Sequence, residues 1–226
     1  FPAIIKGLDV TNWRKVIGGS IKGFSVSSKE EFIIKATELL NKNLSCVTQE
    51  IIKGPDTNHF KYSTYISGTG KVLCAFASKK IRQNPIFFGI GSVMESVEFE
   101  ELNSIGAKLF SAIGYTGVGS AEFKIDERDG KLKLIEINAR YWQQNSLPDF
   151  CGMNFPLINY FDLTGQEPNP VFEYRKGLKW VNIYSDFESF MGYRRLKLLS
   201  FKSWLKSLKG KKILSDYALD DILPGL

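Results

Sequence analysis

The chain's 226 residues, 43% hydrophobic and 13% aromatic, are enough to build one large domain or two small ones around a core, and they exclude a disordered chain. A formal charge of +6 and a pI near 9.1 favour anionic partners without choosing among nucleotides, nucleic acid, membrane surfaces and acidic metabolites. The single histidine, His59, excludes a histidine-rich metal site and any Ser-His-Asp triad that does not use it, and no apolar run approaches the ~20 residues of a membrane span.

The separated cysteines Cys46, Cys74 and Cys151 have no CxxC spacing and read as reduced, buried thiols of an intracellular protein. No leader segment is visible, so a cytoplasmic location is expected. The opening FPAIIKG reads as a strand, with Pro2 where a missing donor is tolerated, and suggests either a fragment or missing upstream residues. LDVTNWRKVIGGSIKGFSV reads as a glycine-containing basic loop or hairpin that returns into a strand near Phe24. In SSKEEFIIKATELLNKN, Ser28 and Glu31 form a capping box ahead of apolar residues at helical spacing. LSCVTQEII is a strand stopped by KGPD; HFKYSTYIS and KVLCAFASKKI form a hairpin around GTG; EFEELNSIGAKLFSAIG is a second amphipathic helix. CGMNFPLINYFDLTG reads as helix, LKWVNIY as strand and the stretch from FESFMGYRR to KGKK as short basic helices. Hairpins dominate the strands, which predicts an α+β fold rich in antiparallel sheet.

Chemistry concentrates in GSAEFKIDERDGKLKLIEINARYW, residues 119–142, where two apolar runs each carry a glutamate. A five-residue loop (127–131) would set Glu122 opposite Glu136, with Asn138 and Arg140 following on the same face. Opposed carboxylates repel unless a cation lies between them, and carboxylate plus amide oxygen suits Mg²⁺. Two other readings stay open: a solvated face on which the glutamates pair with Lys124 and Lys133, and a four-residue loop that sends them to opposite faces. Lys6, ending an apolar strand, and Lys22, in GGSIKGF, are candidate phosphate contacts, although no Walker A motif occurs. The alternative for both is a surface lysine.

Taken in order, AIIKG, GGSIKG, QEIIKGPD, SKKIRQNP and AEFKIDERDGKLKLIEINAR resemble the motifs of the ATP-grasp superfamily over residues 1–142. The resemblance implies two α+β subdomains gripping a nucleotide: 1–53 as a partial, lid-like small subdomain, 54–165 as the catalytic subdomain with the metal hairpin, and 166–226 as a strand and helix extension packed on it. It implies Lys6 on the α- or β-phosphate and Lys22 in the loop that covers the phosphates. Gln49, Glu50 and Ile52 would border the adenine, the last two through backbone groups, with Asp56, or Asn58, at the ribose. Lys80 and Arg82 would face the γ-phosphate and acyl phosphate, Glu122, Glu136 and Asn138 would ligate Mg²⁺, and Arg140 would hold the transferred phosphoryl group or the substrate carboxylate.

The implied cofactors are ATP and two Mg²⁺ ions, with Mn²⁺ as a substitute. The implied reaction is ATP-dependent joining of a carboxylate to an amine through an acyl phosphate. Partners would be ATP and small-molecule carboxylate and amine substrates, with neither nucleic acid nor membrane, and a homo-oligomer is compatible. Substrate contacts are expected in RYWQQNSLPDFCG, at Tyr141, Trp142, Gln143 and Gln144. The chain departs from the family where LDVTNWRKVI replaces the compact glycine run, and where the family's N-terminal domain and an earlier phosphate-binding lysine would precede Phe1. A non-catalytic nucleotide-binding module of the same fold is the alternative. A third reading takes Leu198, Phe201, Leu205 and Leu208 as an apolar stripe facing an anionic membrane or nucleic acid, against one packed on the domain. The tail, with WLKSLKGKK and DDILPGL, is similar to that of predicted carboligases of the superfamily.

Overall fold

The computed structural model describes residues 1–19 and 21–217, and the chain divides after Lys53 into two compact units. The DDILPGL tail lies outside the described residues.

In the first unit, β1 (Ala3–Gly7) lies between β2 (Phe24–Val26) and β3 (Cys46–Glu50), antiparallel to both. Helices α1 (Val10–Val16) and α2 (Lys29–Asn41) cover one face. Strand alternation sends Ala3 and Ile5 into a core with Trp13, Val26, Leu39 and Leu44, and sends Ile4 and Lys6 to the other face. The stretch after Lys6 is not the expected loop or hairpin. Asp9 caps α1 by accepting the N–H groups of Thr11 and Asn12 at 2.9 and 3.1 Å, and Trp13 buries itself against β1. Gly7 permits that approach, since a Cβ there would fall 2.5 Å from the Trp13 ring. Ser28 caps α2 as expected, but the Glu31 carboxylate reaches back to the N–H of Ser27 rather than to that of Ser28.

The second unit is a seven-stranded sheet in the order β10-β9-β6-β5-β4-β7-β8. Its strands are β4 (His59–Ile66), β5 (Val72–Asn84), β6 (Ile90–Ser96), β7 (Gly117–Ile125), β8 (Leu132–Asn138), β9 (Lys179–Val181) and β10 (Lys212–Leu214). All neighbours are antiparallel except the pair β9 and β10. Helix α3 (Glu100–Ala112) covers one face over Tyr62, Ala77, Ala121 and Phe123. The other face carries Tyr65, Cys74 and Phe76 beneath Trp142, Met153 and Phe155, with α4 (Ser146–Phe150) and α5 (Phe155–Leu163). Ser63 and Lys61 share that second face with Tyr65, one and two alternations back along β4. Trp142 and Gln144, expected at the substrate, are buried: Trp142 packs edge-on against Phe155, and Gln144 donates to the Gly91 carbonyl at 2.8 Å.

Helices α6 (Ile183–Arg195) and α7 (Phe201–Ser207) close the far side of the unit. The expected stripe does not form one helical face. Ser200 caps α7, so Leu198 precedes the helix, and Trp204 makes the inward contact by stacking on Phe190 at 4.6 Å. Leu198, Phe201 and Leu205 remain exposed. Among the described residues no helix is long and apolar enough to cross a membrane, and all three cysteines are free, Cys46 only half-buried.

Candidate active site

The hairpin of β7 and β8 decides the geometry. The Asp126 N–H donates to the Lys131 carbonyl at 3.0 Å, and Ile125 pairs with Leu132, so the tight loop has four residues, 127–130. That register alone would place the two glutamates on opposite faces. The register shifts between Glu122 and Phe123, with Ile135 as the extra residue of a bulge, and beyond it Glu122 stands opposite Glu136 and Ser120 opposite Asn138. The carboxylates therefore share one face, by a route that the five-residue loop did not anticipate. Arg140 lies past the end of β8, exposed, and donates to the Tyr141 carbonyl at 3.1 Å.

Glu122 is paired from the sheet rather than with Lys124 or Lys133. Lys61, its cross-strand partner on β4, places Nζ 3.0 Å from Oε1, and Lys80 of β5 lies 3.7 Å from Oε2. Lys133 instead binds Asp129 at 2.7 Å. Burial alone would raise the pKa of Glu122, but Lys61 and Lys80 outweigh it and hold the carboxyl at about 2. Burial pulls the Lys80 ammonium below its ordinary value, against the pull of Glu122. His59 is driven down to about 3 by burial first, then by Lys80 and Lys124, and stays neutral. Glu136 is exposed, its Oε1 accepting from Asn138 Nδ2 at 2.9 Å. The donors are two carboxylates and an amide, a sparse hard-oxygen set that Mg²⁺ completes with phosphate and water. The opposition of two carboxylates on one face fits such an ion.

Lys80 is held further by Gln83, whose Oε1 accepts from Nζ at 3.2 Å and whose Nε2 donates to Asp56 Oδ1 at 2.5 Å. The other Asp56 oxygen accepts from Tyr193. Asp56 thus lies behind Lys80, both its oxygens engaged. Arg82 does not join the group. Bulges on either side of it turn its guanidinium to α6, where Nε and Nη2 meet Asp186 at 2.6 and 3.0 Å and Nη1 meets Ser207 at 2.5 Å. Asn58 donates to the Ile125 carbonyl.

In the first unit, Lys6 Nζ donates to Gln49 Oε1 at 3.2 Å, on the face away from α1 and α2. The Glu50 side chain alternates to the helix-covered face, opposite Ala3; Ile52 is buried and Lys22 exposed. Sequence reasoning missed Lys61 and Gln83. The signal for Lys61 was a lysine alternating with Phe60 and Tyr62 on a strand between two others, but only the pairing of β4 with β7 shows what it faces.

Residues 79–153 match the family model described as carbamoyl-phosphate synthase L chain, ATP binding domain. Over 160 residues, 68% of this chain, the sequence is 26% identical to the D-aspartate ligase of Enterococcus faecium (strain Aus0004), and the chain spans only 38% of that relative's length. Among solved structures, the fold is similar to the biotin carboxylase domain of Hydrogenobacter thermophilus 2-oxoglutarate carboxylase in complex with MgADP, ADP and bicarbonate (TM-score 0.58, 16% identity, 79% of this chain and 40% of that one). It is also similar to N5-carboxyaminoimidazole synthetase from Staphylococcus aureus complexed with ADP (TM-score 0.54, 14% identity, 78% of this chain and 43% of that one).

Proposed function

We propose that this chain is a member of the ATP-grasp superfamily and the nucleotide- and metal-binding part of a cytoplasmic ligase that joins a carboxylate to an amine with ATP. The observation that carries the reading is the bulge-set opposition of Glu122 and Glu136, with Asn138 beside them and Lys80 against Glu122. The relative named as a D-aspartate ligase supports a carboxylate–amine reaction.

Glu122, Glu136 and Asn138 would hold Mg²⁺, as one or two ions, or Mn²⁺ in its place; the metal supplies charge neutralisation at the phosphate oxygens. Lys80, fixed by Glu122 and Gln83, offers its ammonium to the γ-phosphoryl group as charge develops there. In the first unit, Lys6, oriented by Gln49, would take an α- or β-phosphate oxygen, and the exposed Lys22 would belong to the loop that covers the phosphates. Backbone groups of Glu50 and Ile52 border the adenine. Arg140, exposed at the end of β8, binds the substrate carboxylate or the transferred phosphoryl group. The carboxylate oxygen attacks the γ-phosphorus as the bond to the β-γ bridging oxygen breaks and ADP leaves. The amine then attacks the acyl carbon, phosphate departs with the C–O electron pair, and the amine gives up a proton. Asp56 and Arg82 act through others: Asp56 holds Gln83, and Arg82 anchors α6.

The test is Glu136→Gln in the full-length protein, reading ATP-dependent ADP release with a panel of carboxylates, D-aspartate among them, and amines. Turnover should fall at least about 100-fold with an unchanged melting temperature. Undiminished turnover in the variant would sink the metal assignment, whereas ATP binding without turnover in the wild type across the panel would mark a non-catalytic module.

A further inference from the structure

The polar groups on the shared face of Glu122 and Glu136 pair with one another. Glu136 takes a hydrogen bond from the Asn138 amide, and each oxygen of Glu122 faces an ammonium. The closer of the two, Lys61, is nearly as buried as the lysine beside it, with side-chain exposures of 9% and 7% for Lys61 and Lys80, while the Glu122 side chain is 18% exposed. Lys80 has a second partner in Gln83 and can leave Glu122 without losing every hydrogen bond. Among the described residues Lys61 makes its ion pair with Glu122.

A divalent cation on Glu122 would stand beside an ammonium already in contact with the same carboxylate, and two cations sharing one anion in a poorly solvated place repel strongly. We propose that Lys61 is a resident counter-ion that occupies Glu122 in the metal-free protein and gives it up to the metal, so that it sets how tightly the metal binds. The inference rests on the metal reading of Glu122 and Glu136. Lys61 is a positioning residue here: it holds the Glu122 carboxylate toward β4 and lowers metal affinity. Once displaced, its ammonium is available to a phosphate oxygen brought in with the metal.

The experiment is a Mn²⁺ titration of the full-length protein, followed by loss of the free-ion EPR signal, with no nucleotide present. Lys61→Gln keeps a hydrogen-bond donor toward Glu122 and removes the charge, and should bind Mn²⁺ about tenfold tighter than wild type. Lys61→Arg keeps the charge and should bind as wild type does. Unchanged or weaker binding in Lys61→Gln overturns the proposal. If that variant melts too early to titrate, its melting temperature must rise more on adding Mn²⁺ than that of the wild type, and an equal or smaller rise overturns the proposal as well. Glu122→Gln and Glu136→Gln separate the two readings. If either keeps wild-type Mn²⁺ binding, the metal assignment itself fails. If both lose it while Lys61→Gln is unchanged, only the counter-ion role fails.

Discussion

Two buried ion pairs are rooted in the same seven-stranded sheet, one reaching helix α6, and are built to different ends. Arg82 and Asp186 form a closed pair: a two-pronged contact at 2.6 and 3.0 Å, completed by Ser207 on the guanidinium and by Trp204 Nε1 on the carboxylate at 2.7 Å. Lys61 and Glu122 form an open pair: a single contact at 3.0 Å, a second ammonium at 3.7 Å and an exposed carboxylate, Glu136, directly across the next strand. A pair that engages all three guanidinium nitrogens and both carboxylate oxygens has little left to offer a ligand and clamps α6 and α7 to the sheet. A pair with a neighbouring anion and spare acceptor capacity can exchange its partner.

The contrast can be broken by substitution. Asp186→Asn leaves the Arg82 charge buried and should cost about 3 kcal/mol in urea unfolding, with no recovery on adding metal. Glu122→Gln should cost less, about 1–2 kcal/mol, because Lys80, one of the two ammoniums it releases, keeps Gln83 and has Glu136 within electrostatic reach. Equal losses at the two sites would remove the distinction between a closed and an open pair.

Acid sharpens the comparison. His59 titrates at about 3 in the folded chain against 6.5 unfolded, so between those values the unfolded state binds the extra proton and stability falls as pH falls. The Glu122 contribution is fully present above 4.5 and is lost as pH drops toward about 2. Unfolding midpoints should therefore begin to decline below pH 6.5, and His59→Gln should flatten the curve between 6.5 and 4.5 while leaving the steeper loss below 4.5. The smallest expected effect on stability is that of Glu136→Gln, within about 0.5 kcal/mol because the side chain is exposed, although its effect on turnover should be the largest.

The residues of the β7–β8 hairpin were legible because strand alternation and a glycine turn are local, and a glutamate in an apolar run stands out. Their shared face was not legible. Loop length alone, with the four residues that form, predicts opposite faces, and a single bulged residue, Ile135, reverses that outcome. Basic residues told the same story: Lys80 and Arg82 are neighbours in sequence, yet bulges around Arg82 send them to different partners. Lys61 looked like any strand lysine until β7 was paired with β4. The helix α1 was missed because its start depends on the Asp9 cap and its persistence on burying Trp13, and the glycines that follow drew the eye to a loop.

By itself the sequence determined the α+β class, most of the hairpins and helices, and which hairpin carries two glutamates in apolar runs, since propensity, capping and alternation act over a few residues. Tertiary structure alone decided which carboxylates face each other and which cations they meet. Those outcomes depend on strand register, where one extra residue inverts a face, and on contacts between segments tens of residues apart whose pairing no local pattern encodes.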